Sequence, residues 1–75
     1  MKLDVRKYPA LALWHHQLAK GLRTKTTFDP VWLAACAEMN AIEAERFQMS
    51  ETAEGYLKQS KQILAEALAE TRGAA

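Results

Sequence analysis

Two histidines stand side by side at positions 15 and 16, and the only cysteine of the chain stands at position 36. Imidazole and thiol are the side chains that most often bind transition metals or carry acid–base and nucleophilic chemistry. Their placement argues for neither. Adjacent residues on a helix point roughly 100° apart, so His15 and His16 cannot hold one ion as an i,i+3 or i,i+4 pair. No acid or cysteine in the same stretch completes a ligand set. His15 is expected on an apolar helix face as a packed, hydrogen-bonded histidine, and His16 on the exposed basic face. Cys36 lies between Ala34, Ala35 and Ala37 and reads as a small packed side chain.

The acids offer no better case. Glu38 and Glu45 are a heptad apart, Glu43 and Glu45 point to different sectors, and all three read as solvated surface. The chain has no Gly-rich phosphate loop, no zinc spacing and no Gly-x-Ser-x-Gly elbow. An enzyme is not expected, nor is a metal or a cofactor. With one cysteine an intramolecular disulfide is excluded.

Charge is more informative than reactivity. The formal net charge is only +1 over 75 residues, with ten basic against nine acidic side chains. Residues 1–26 hold six Lys/Arg and one acid, whereas residues 27–75 hold four Lys/Arg and eight acids. The two halves should therefore attract each other, within one chain or between two. Lys20, Arg23 and Lys25 gather with His16 on and just after the first helical segment. They are the candidate partner-binding residues, because they concentrate charge away from the apolar positions. A nucleic-acid backbone is the alternative ligand for them. It is not favoured, since no helix face carries several base-reading side chains and the acidic half would repel phosphates.

Three helical segments must position these residues, at about 8–22, 30–48 and 51–72. The fold class expected is therefore all-α, a single small domain built as a bundle or helical hairpin. In the first segment Pro9 suits the first helical position. Tyr8, Leu11, Trp14, His15, Leu18 and Leu22 share one face, and Gly21 ends the pattern. In the second, Asp29 is placed to cap, Pro30 follows at N1, and Phe28 can staple onto Leu33. In the third, Glu54 and Lys58 form a favourable i,i+4 pair.

A heptad register runs through residues 32–67: Trp32, Ala35, Met39, Ile42, Arg46, Met49, Ala53, Tyr56, Ser60, Ile63 and Ala67. Its bulky members Trp32, Met39, Ile42, Met49, Tyr56 and Ile63 form the expected self-association stripe, and a homodimer is expected. Ala34, Ala37, Ala41 and Ala44 form a second, small-residue face. Arg46 interrupts the stripe, either laying its stem along it or pairing with an acid across a dimer interface. The register crosses Ser50 without a slip, so helices 2 and 3 are either separate or one continuous helix in a dimer. A break near Ser50, where Ser50 would cap a new helix, is the favoured reading.

At the N-terminus the apolar run over residues 10–14 is too short for a leader core or a membrane span, and a cytoplasmic protein is expected. No family is identified from these residues. The expected role is non-enzymatic: a small interaction module, whether regulator, inhibitor or chaperone-like adaptor, that binds a protein partner of unknown identity. A dimeric nucleic-acid-binding regulator is the alternative.

Overall fold

The computed structural model describes residues 4–24 and 29–73, the last three as backbone only. It contains three helices: α1 (Pro9–Ala19), α2 (Pro30–Arg46) and α3 (Ser50–Gly73). Tyr8 at the start of α1 lies against Glu45 at the end of α2, and Trp14 lies against Trp32 at its start. α1 therefore runs antiparallel to α2, as α3 does after its tight turn. α2 is the middle helix, and α1 and α3 pack chiefly on it and little on each other.

Local chemistry sets the helix ends. Asp29 caps α2 by accepting from the Val31 N–H at 2.8 Å, and Pro30 follows at N1, as expected. Phe28, the other half of the expected staple, lies outside the described residues, as does Lys25. α1 and α2 end in the same way. After α1, Gly21 adopts φ 69°, with Gly21 N donating to Leu18 O and Leu22 N to Gln17 O. After α2, Gln48 adopts φ 60°, with Gln48 N donating to Glu45 O and Met49 N to Ala44 O. Both are Schellman closures, which satisfy the last carbonyls through one left-handed residue.

Glycine adopts that conformation freely, whereas glutamine carries a Cβ that opposes it. Gln48→Gly should therefore stabilise the protein, by about 0.5–1 kcal/mol after the added freedom of the unfolded chain is deducted. The check is the urea midpoint, and a midpoint below that of the wild type would refute the reading of this turn.

The break near Ser50 is present, although its details differ from expectation. Ser50 is the first helical residue and not the cap, because Ala53 N donates to Met49 O at 3.0 Å. Helix 1 is also shorter than expected and stops at Ala19. The left-handed Gly21 then swings Leu22 off the apolar face, leaving it 69 % exposed.

The core is built on small residues. Ala34, Ala35 and Ala41 are fully buried in α2, and Ala37, Ala44 and Val31 nearly so. Tyr8, Leu11 and Trp14 from α1 and Ala53 from α3 complete it. The alanine face admits two neighbouring helices, and the heptad stripe lies along its border. Ala35 is buried, and Ile42, Trp32 and Tyr56 pack against the core, but Met39 and Met49 are exposed.

Ion pairs join the basic third to the acidic remainder. Lys7 pairs with Glu45 and Arg23 pairs with Asp29. The Tyr8 hydroxyl also donates to Glu45, at 2.7 Å. Burial first, and then this bond to Glu45, push the Tyr8 phenol from 10.0 up to about 12. Lys7 and Tyr8 in turn hold Glu45 below its usual range.

A phenol harder to deprotonate in the folded state contributes stability that is complete below pH 10 and is lost as the pH rises toward about 12. Tyr8→Phe should cost about 1 kcal/mol at neutral pH. It should also flatten the alkaline decline between those limits, which denaturation midpoints measured across that range would reveal.

Candidate functional site

One buried polar cluster ties the three helices together. Glu38, in the middle of α2, is 1 % exposed. Its Oε2 accepts from Ala10 N at 3.0 Å and its Oε1 from Leu11 N at 2.9 Å. These are first-turn amides of α1, which Tyr8 at the cap position does not satisfy with its own side chain. The Ser60 hydroxyl of α3, itself buried, donates to Oε2 at 3.0 Å. A carboxylate at a helix N-terminus faces both orphan donors and the positive end of the dipole. Glu38 therefore caps a helix distant in sequence. The expectation of a solvated Glu38 is overturned. The signal was available in its neighbours: it lies between Ala34 and Ala41 on the small-residue face, which the packed helices enclose.

This cluster lacks the features of a reaction centre. Its hydroxyl, Ser60, and the Glu38 carboxylate that it donates to are 2 % and 1 % exposed, so the cluster is closed to solvent. Cys36 is half-buried, on the border of the outward face of α2 and not enclosed by the alanines flanking it in sequence. Consecutive helical residues point in different directions, so sequence neighbours do not report its surroundings. His15 is exposed, and not packed on the apolar face as expected. The face of α1 that α2 covers is centred on Trp14, and His15 falls outside it. Among the described residues no three His, Cys, Asp or Glu side chains gather as a metal site.

Beyond the Glu38 tie, toward the start of α2, a cleft opens between α1 and α3. Its volume is about 540 Å³, and Leu13, Gln17, Val31, Leu64, Ala67 and Leu68 are among its lining residues. α3 has 24 residues against 17 in α2, so its last seven extend about 10 Å past the cover that α2 provides. That overhang leaves Leu68 61 % exposed, facing Leu13 at 40 %. Arg23 and Glu70 stand at the rim. The sequence reading missed this cleft, because it arises where three helices of unequal length meet.

The four expected contact residues are not equivalent. His16 and Lys20 are exposed at the C-terminal end of α1. Arg23 is half-buried and engaged by Asp29, so its charge is already neutralised. The bulky stripe is likewise divided. Trp32, Ile42, Tyr56 and Ile63 are half-buried, whereas Met39 and Met49 face outward with Leu33 and Phe47, which are 46 % and 69 % exposed. Arg46 is exposed beside them.

No helix among the described residues is long and apolar enough to cross a membrane. No protein-family model, curated protein or solved structure significantly matches the chain.

Proposed function

We propose that this protein is a non-enzymatic helical interaction module, a regulator, inhibitor or chaperone-like adaptor, that works in the cytoplasm as a homodimer and binds a protein partner. The observation that carries the reading is the apolar cleft between α1 and α3. It occupies the place a fourth helix would take in a bundle, and a groove of this kind accepts the apolar face of an amphipathic helix. Leu13, Leu64 and Leu68 provide the apolar contact. His16 and Lys20, on the exposed surface of α1, favour a partner with acidic residues flanking its apolar face.

The test is a Leu13→Glu, Leu68→Glu variant, compared with wild type as an immobilised bait. Both residues are exposed enough that helicity and melting temperature should be retained. Wild type should hold a stoichiometric protein that the variant releases. If a fully folded variant retains the same protein in the same amount, the cleft is not the site. The nucleic-acid reading keeps His16 and Lys20 but has lost Arg23 to Asp29. It requires binding to a random DNA duplex that falls steeply with salt and weakens in Lys20→Glu.

A further inference from the structure

The cleft leaves unexplained the opposite surface of the molecule, the outward face of α2 and the turn that follows it. Met39, Phe47 and Met49 are 39 %, 69 % and 51 % exposed there. Phe47 and Met49 join Tyr56 around a hollow of about 230 Å³, so the bulk is contiguous and not scattered. Contiguous apolar surface of this kind marks contact with another macromolecule.

Two charges share the face. Glu43 and Arg46 are exposed one helical turn apart, and neither makes an ion pair among the described residues. The neighbouring acid, Glu45, is already held by Lys7 and Tyr8. We propose that a second copy of this chain covers this face, with the two α2 helices running antiparallel about a twofold axis between Glu43 and Arg46.

A twofold axis places a patch against itself. A face of one sign would then be repelled. A face holding an acid and a base one turn apart, once reversed, sets each Glu43 near Arg46 of the partner subunit. Each Phe47 then lies near Ile42 of the partner subunit, apolar against apolar. Arg46, which breaks the apolar stripe, thereby fixes the register of the pair. The inference rests on the homodimer reading above and adds the surface and the arrangement.

Sedimentation equilibrium on the full chain and on charge-reversed variants tests it, with helicity and melting temperature measured alongside. Wild type should be dimeric at micromolar concentration. Glu43→Arg and Arg46→Glu each turn two attractions into repulsions and should weaken the dimer by about tenfold. The double variant restores opposite charges and should return to within about threefold of wild type. Phe47→Asp should give a folded monomer. A monomeric wild type overturns both the homodimer and this arrangement. A wild-type dimer that is indifferent to the single reversals, or not recovered by the double one, overturns only the arrangement.

Discussion

Glu38→Ala is expected to leave the chain without a cooperative fold. The substitution removes the side-chain acceptor that Ala10 N, Leu11 N and the Ser60 hydroxyl, all buried, share among the described residues. Each buried donor left unpaired costs about 1–3 kcal/mol, so the three together cost at least about 3 kcal/mol. A single core in a chain of this size rarely supplies more than about 3–5 kcal/mol of net stability. The loss is therefore comparable to the whole. A well-packed hydrophobic replacement cannot help, because two of the donors are backbone amides that remain in place. Glu38→Gln keeps one acceptor oxygen and should be less damaging, and Ser60→Ala less still, at about 1 kcal/mol. Circular dichroism during urea titration gives the order. A cooperative Glu38→Ala transition at the wild-type midpoint would refute the role assigned to this carboxylate.

Trp14→Ala should cost about 3–5 kcal/mol. Trp14 is 1 % exposed, and its ring meets Trp32 with centroids 5.2 Å apart and planes tilted by 46°. It is the largest side chain that α1 buries, and α1 is the helix with least support from the rest of the bundle. The facing surface of α2 is largely alanine, with few long side chains that could move into the vacated space. Trp14→Phe retains most of the volume and should lose about 1–2 kcal/mol. Denaturation followed by circular dichroism separates the two variants. Amide exchange in α1 should rise more than in α2 and α3. A Trp14→Ala variant within a few tenths of a kcal/mol of wild type would show that α1 is held by other contacts.

Several elements were legible before any fold was known. Asp29 followed by Pro30 is a helix start by local chemistry alone, because the acceptor, the missing N–H and the preset φ all act within one turn. Of the face expected from Tyr8, Leu11, Trp14, His15, Leu18 and Leu22, period alone gives the four that pack inward, Tyr8, Leu11, Trp14 and Leu18, whereas His15 and Leu22 are exposed. Gly21 as a stop is similarly local.

The sequence by itself therefore determined the helical class, the start of α2, the inward face of α1 and the separation of charge. These depend on interactions within a few residues or on periodicity, and both can be read along a chain. Tertiary structure decided which of the two faces of α2 became the core. Alanines let helix axes approach closely and methionines do not, so the small face won and the bulky stripe was left at the border. That choice drew Glu38 inward with its alanine neighbours and directed it to the unpaired amides of α1. It also left Met39, Phe47 and Met49 outside and gave Gln48 the left-handed turn that a glycine would ordinarily take. The cleft depends on how far α3 extends past α2, which no spacing within either helix encodes. Burial is a property of what lies across the gap, and a carboxylate reads as surface until another helix supplies its donors.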